Sequence, residues 1–137
     1  MTDLLATMRV SAAGLSAQRT RLDAATSNLA NAESTRTADG GRYQRRDVVL
    51  QAGPFDSALD AAASTVAATT ILSEEAGRQS YLPGHPDADA RGMVTLPAVD
   101  PVHETVNLLT AARSYELNSS AFETAKALAQ RALDLLR

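Results

Sequence analysis

Residues 1–31 read MTDLLATMRVSAAGLSAQRTRLDAATSNLAN, a run of helix-forming residues that no proline interrupts. Large apolar residues return within it at every seventh position: Met1, Met8, Leu15, Leu22 and Leu29. Such a stripe is narrower than the face that a helix packs on a globular core, and it is typical of a coiled-coil seam. Asn28 and Asn31 lie where the pattern stops, and asparagine tolerates the left-handed conformation that ends many helices. The stretch therefore predicts a long N-terminal helix within residues 1–33.

A second helix pattern occupies the C-terminal part of the chain. Asp100 is suited to cap this helix, Pro101 suits its first turn, and Glu104 places a negative charge near its start. Its seventh-position series is Leu108, Tyr115, Phe122, Ala129 and Leu136. We predict a C-terminal helix over residues 100–137 that pairs with the N-terminal helix. Together the two helices would form one helical domain, a coiled-coil-like bundle.

The middle of the chain, residues 34–99, predicts a small β-rich and irregular insert between the helices. Two valines favour a strand within residues 43–51. Residues 66–72 (VAATTIL) fit a strand on their β-branched content, but the apolar spacing of residues 53–68 also fits a helix, and the sequence leaves this alternative open. Closely spaced prolines and glycines allow only short extended pieces within residues 81–101. The predicted fold class is mainly α, with two long terminal helices around a small insert.

The composition limits the classes of function. The 137 residues include no cysteine, and 13 basic side chains stand against 16 acidic ones, which gives a formal net charge of −3. The missing cysteine excludes disulfides and thiolate metal sites, and the acidic excess argues against nucleic acid as the main partner. Apolar residues make up 45% of the chain, but a large share of them is alanine. Because large side chains supply most of the burial energy, this composition favours an assembly in which neighbouring chains provide further burial.

Membrane insertion and secretion by a cleaved leader are also not predicted. No apolar run approaches the roughly 20 residues that cross a bilayer. The N-terminus has an acidic residue at position 3 and no long apolar core, so we expect no cleaved signal peptide.

Motifs for catalysis find little support. The segment from Asp87 to Asp89 resembles the start of a calcium-binding loop, but Arg91 and Ala98 occupy its fifth and twelfth positions, where oxygen ligands belong. A metal-dependent enzyme built around His85 and these two aspartates is therefore the weakest reading. We predict no catalytic residue, no metal site and no cofactor.

The clearest charge feature is a basic stretch that contains Arg36, Arg42, Arg45 and Arg46, and we call the last three of these the arginine cluster. Three interpretations stay open: a nucleic-acid patch, a solvated strand edge, or a docking surface for an acidic neighbour. With the cluster in the first role, the chain would be a small helical adaptor or a nucleic-acid-binding regulatory module. That class is the alternative to a subunit of an assembly.

Residues 11–37, SAAGLSAQRTRLDAATSNLANAESTRT, closely resemble the N-terminal signature of bacterial flagellar basal-body rod proteins, in which a helix ends in Ser-Asn-(Ile/Leu)-Ala-Asn before a threonine-rich turn. The resemblance continues in order through three further stretches: residues 41–50, 81–104 and 106–126. The set resembles the FlgC type of proximal rod protein, for which PGHPDAD at residues 83–89 is the most specific piece. Four positions depart from the residues usual in the family: Ser34, Met93, Leu96 and Ala98.

The resemblance implies a structural function without catalysis. Proteins of this family are exported through the flagellar type III apparatus without a cleaved signal, and they polymerise with other rod proteins into a torque-transmitting tube across the periplasm. The partners would be further copies, other rod proteins and the base of the basal body, with no nucleic acid, small-molecule substrate or direct membrane insertion. We predict an assembly interface on the helices: Met8, Leu15, Leu22, Asn28, Leu29, Asn31, Leu108, Tyr115 and Phe122. The arginine cluster is predicted as a docking surface for neighbouring subunits.

Overall fold

The computed structural model describes residues 2–38, 40–52 and 66–134, with side chains from residue 6 onward. The described elements are, in chain order, α1 (Thr2–Ala30), β1 (Arg46–Ala52), β2 (Val66–Leu72), β3 (Arg78–Tyr81), β4 (Met93–Leu96) and α2 (Pro101–Asp134). The chain is thus mainly helical, with two long helices around a small insert of strands, as the sequence predicts. Neither described helix is long and apolar enough to cross a membrane.

Polar side chains form hydrogen bonds with the backbone at the start of α2 and at the end of α1. The Asp100 carboxylate accepts a hydrogen bond from the backbone N–H of Val102 at 2.9 Å, which confirms the predicted cap of α2. At the other junction α1 ends at Ala30, and the Asn31 side chain donates to the carbonyl of Ser27 at 2.8 Å. The same carbonyl also accepts from the Asn31 backbone N–H at 3.1 Å, so the side chain adds a second bond at the end of α1. Neither Asn28 nor Asn31 adopts the left-handed conformation that asparagine tolerates, since no described residue other than glycine has a positive φ.

The helices pack side by side and antiparallel. Ala24 and Ala25 of α1 line the same cleft as Asn107 near the start of α2, and mid-helix Gly14 faces Asn118. The contact is close, because a Cβ added at Gly14 would come within 2.9 Å of the Asn118 amide nitrogen.

Small residues form the seam between the helices. The fully buried positions of the two helices are mostly alanines: Ser11, Ala17, Ala24, Ala25 and Asn28 on α1, and Glu104, Ala111 and Ala125 on α2. The large seventh-position residues flank this seam. Five of them are half-buried, namely Met8, Leu15, Leu22, Leu108 and Phe122, whereas Leu29 and Tyr115 are exposed. Small side chains allow the close approach, so the bulky ones are displaced to its edges.

The described part of the insert forms two separate two-stranded antiparallel sheets. Strand β1 pairs with β2, so that Arg46 lies opposite Leu72, and β3 pairs with β4, so that Arg78 lies opposite Leu96. Strand β2 covers residues 66–72, so the strand interpretation of this stretch is confirmed over the helix interpretation. The remainder of the ambiguous stretch, residues 53–65, lies outside the described residues.

The main apolar cluster lies at the joint between the helices and the insert. Ala32 after α1, Tyr43 before β1 and Val99 before α2 pack together and are all buried. Val94 and Leu96 of β4 are buried as well. This joint fixes how the insert leaves the helix pair, and it contains the polar groups described next.

Candidate assembly site at the joint and on the outer helix face

Asn28 connects the end of α1 to the start of β1. Its side chain is 1% exposed, and its oxygen accepts from the backbone N–H of Arg46 at 2.8 Å while its nitrogen donates to the carbonyl of the same residue at 2.9 Å. The amide therefore pairs with both backbone groups of Arg46, as a neighbouring strand would. Only asparagine or glutamine offers a donor and an acceptor in this arrangement.

Tyr43 completes this network. Its hydroxyl donates to the Asn28 side-chain oxygen at 2.9 Å and lies 2.9 Å from the Ser27 hydroxyl. Because the tyrosine hydroxyl has a single hydrogen, Ser27 must be the donor of the second bond. The Ser-Asn pair at the end of α1 thus holds the chain that leads into β1. A buried polar network of this kind favours one relative orientation of the two elements.

Asp87 joins the PGHPDAD segment to the turn after α1. Its carboxylate accepts from the Thr35 hydroxyl at 2.8 Å and forms an ion pair with Arg36 at 2.7 Å. The backbone N–H of Asp87 donates to the His85 ring nitrogen Nδ1 at 3.1 Å. Two segments that carry the family resemblance, far apart in the sequence, are therefore bound to each other. The described residues contain no group of three or more acidic or histidine side chains that could hold a metal ion.

Two members of the arginine cluster contact groups within the chain. Arg42 donates to the carbonyl of Glu75 at 3.0 Å. Arg45 donates to the Asp47 carboxylate at 2.9 Å and lies 3.8 Å from the Glu75 carboxylate. The hydrogen bond with Asp47 is the main reason why the pKa of Arg45 is raised above its ordinary value. These contacts tie the start of β1 to the turn before β3, while the side chain of Arg46 is exposed.

The outer face of α2 carries large apolar side chains that the seventh-position pattern does not include. They are exposed by 51–73%, and they comprise Val102, Val106, Leu109, Leu117 and Leu128. Successive residues of a helix are rotated by about 100°, so these five fall within an arc of roughly 100°. The buried residues Ala111 and Ala125 point to the opposite side. We call this group the outer face. Its helical spacing at Val102, Val106 and Leu109 is the sequence signal that reveals it.

Family models match both ends of the chain. The model described as "Flagella basal body rod protein" matches residues 8–36, and the model described as "Flagellar basal body rod FlgEFG protein C-terminal" matches residues 90–135. The first match includes Ser27 and Asn28 of the network at the joint, and the second spans all of β4 and α2. The class defined by these two regions is the flagellar basal-body rod protein.

Full-length relatives give the particular type. The chain is 39% identical to the "Flagellar basal-body rod protein FlgC" of Escherichia coli O6:H1, over 96% of this chain and 97% of the relative. It is 33% identical to the protein of that name from Borreliella burgdorferi, over 98% of both chains, and 36% identical to that of Bacillus subtilis, over 93% and 95%. The chain belongs to the FlgC-type family of flagellar basal-body rod proteins. It is a structural subunit of the basal-body rod and not an enzyme.

Proposed function

We propose that this chain polymerises through its terminal helices, with copies of itself and with other rod proteins, into the proximal part of a tubular shaft that transmits torque. The rod would cross the periplasm, and the subunit would reach it through the flagellar export apparatus without a cleaved signal. No nucleic acid takes part in this proposal. The arginine cluster would contact neighbouring subunits through Arg46, whose side chain has no ion pair within the described part of the chain.

The outer face of α2 is the observation that carries this proposal. The helix pair places alanines in its own seam and leaves five large apolar side chains in water on the other side. Full burial of such a side chain contributes about 1.5–3 kcal/mol, so the face has more to gain from a neighbouring subunit than from its own chain. Large apolar side chains that lie exposed along one face of a helix favour protein–protein contact there.

The joint supports a mechanical role. Torque can be passed between subunits only if the insert and the helix pair keep a fixed relative orientation. Asn28 bridges these two parts by three hydrogen bonds, and Asp87 fixes the turn after α1 to the PGHPDAD segment within the insert. We therefore treat residues 1–33 and 100–137 as one helical domain that carries the insert, residues 34–99, at a defined angle.

The half-buried residues beside the seam complete the proposed contact surface. Leu15 and Leu22 on α1, like Leu108 and Phe122 on α2, are only partly covered within the chain. In a tube, each helix pair has neighbours on more than one side, and these edges would be covered there. A coiled-coil-like arrangement of the terminal helices among subunits follows from this proposal.

A substitution on the outer face tests the proposal. Leu109 is 64% exposed, so Leu109→Asp should leave the folded chain intact but place a charge in the proposed interface. Gln130→Asp, at an exposed position of the same helix outside the face, is the matched control. In a bacterium that lacks its own copy, we expect Leu109→Asp to abolish swimming and to yield basal bodies without a complete rod. Normal rods with Leu109→Asp would contradict the proposal.

A further inference from the structure

Glu104 is a buried acid that no ion pair holds, although its charge acts at longer range on Arg45, whose pKa it helps to raise. It lies in the first turn of α2 and is 3% exposed, and its backbone N–H donates to the carbonyl of Asp100 at 3.0 Å. Among the described residues, no side chain or backbone group forms a hydrogen bond or ion pair with its carboxylate. A carboxylate that is largely shielded from water and lacks a hydrogen bond is less favourable than one in open solvent, so a cation that binds it would improve its environment.

Glu104 is one of the residues that line a cleft between three elements. The cleft has a volume of about 140 Å³ and lies between α1, the start of β1 and the start of α2. Its walls include Arg21, Ala24, Arg46, Asp47 and Asn107. A water molecule occupies only about 10–15 Å³ on the same kind of measure, so the cleft is large enough for the head of a long side chain.

The charges already present in the cleft are engaged or directed elsewhere. Arg21 donates to the Gln18 side chain at 3.1 Å, and Asp47 binds Arg45. Arg46 lines the cleft but stays more than 4 Å from the Glu104 carboxylate, since no ion pair joins them. Two arginines and two acids give the lining no net charge, so any attraction for a ligand is local to the unpaired carboxylate.

We propose that this cleft receives an arginine side chain from a neighbouring rod subunit, whose guanidinium group pairs with Glu104. This inference rests on the proposed polymerisation. A guanidinium group donates two parallel N–H bonds to one carboxylate, and it is more weakly hydrated than the ammonium group of lysine. Both oxygens of Glu104 are free for such a bidentate pair. The cleft opens beside the joint, so the contact would also fix the neighbour relative to the insert.

The cleft itself can be tested on the purified full-length chain. Ethylguanidinium chloride serves as the probe, and NMR follows the amides of Ala24, Ala25 and Asn107 during its titration. The isosteric Glu104→Gln variant removes only the charge, and Glu116→Gln, an exposed acid on the same helix, is the control. We expect saturable shifts in the millimolar range in the wild type and in Glu116→Gln, and none in Glu104→Gln. Equal responses of all three chains would overturn the proposal.

Stability and assembly separate this role from a merely structural one. Because Glu104→Gln removes an unpaired buried charge, we expect the variant to unfold at the same or a higher temperature than the wild type, yet to reduce swimming several-fold and to shorten rods. Lower stability would show that the carboxylate is stabilised within the chain, by Arg45 or by one of the cleft arginines, Arg21 and Arg46, and would overturn the proposal, as would normal rods. If the wild-type chain were absent from basal bodies, the proposed function would be wrong, and no neighbouring rod subunit could supply the arginine. The ethylguanidinium titration would still show, independently, whether the cleft binds a guanidinium group.

Discussion

Asn28 allows a quantitative test of the joint. Asn28→Ala removes three hydrogen bonds, two with the backbone of Arg46 and one with the Tyr43 hydroxyl. Each contributes roughly 0.5–1.5 kcal/mol, so we expect the free energy of unfolding to fall by about 3 kcal/mol. Tyr43→Phe removes the bonds to Asn28 and Ser27 and should lower it by about 2 kcal/mol.

The two substitutions remove one bond in common, so their effects should not add. In a double-mutant cycle we expect a coupling energy of about 1 kcal/mol, since the Tyr43–Asn28 bond is lost only once in the double variant. Urea unfolding of the purified chain, followed by circular dichroism, gives all four free energies. Thr26→Ala, on the exposed side of the same turn, is the control and should change stability by less than about 0.5 kcal/mol. Additive effects, or an Asn28→Ala variant as stable as the wild type, would refute the role assigned to the network.

Three further predictions concern the insert. Gly77→Ala should destabilise the chain by several kcal/mol in thermal unfolding, because the added Cβ would overlap the carbonyl oxygen of Leu96, whereas Gly84→Ala, with open space around it, should be nearly neutral. Asp87→Ala removes one ion pair and one hydrogen bond and should increase amide hydrogen exchange in the PGHPDAD segment, while unchanged exchange would deny it that role. Replacing all three residues of the arginine cluster by alanine should weaken swimming. The purified wild-type chain should show no salt-dependent binding to DNA or RNA. Micromolar binding at physiological salt that is lost in the triple variant would support a nucleic-acid role instead.

The helices and two strands could be predicted from the sequence because their signals are local; β1 lies largely within the predicted residues 43–51, and β2 covers residues 66–72. The cap at Asp100 and the β-branched run at residues 66–72 act through neighbours in the chain, and both predictions are confirmed. Strand β3 has no such signal. Its residues, Arg78–Tyr81, become a strand through pairing with β4, at a distance that a local pattern does not encode.

The joint and the outer face required the structure for the same reason. Asn28 was interpretable from the sequence as a helix-ending residue, but its hydrogen bonds reach Arg46, eighteen positions later. Arg42 and Arg45 looked like parts of one free surface, whereas Glu75, about thirty positions away, binds both. The seventh-position series predicted large residues in the seam, whereas the structure places them beside it. The alanines that form the seam, and the apolar side chains opposite them, follow from the rotation of a straight helix and the close approach of its partner.

The role of the outer face can be measured directly in the assembled rod. A cryo-electron microscopy structure of the basal body that contains this chain would show which surface each subunit presents to its neighbours. We predict that α1 and α2 remain paired, and that Leu109 and Leu117, which are 64% and 67% exposed in the isolated chain, are buried against adjacent subunits. A rod in which the outer face remains in solvent, with contacts made only through the insert, would contradict polymerisation through the terminal helices.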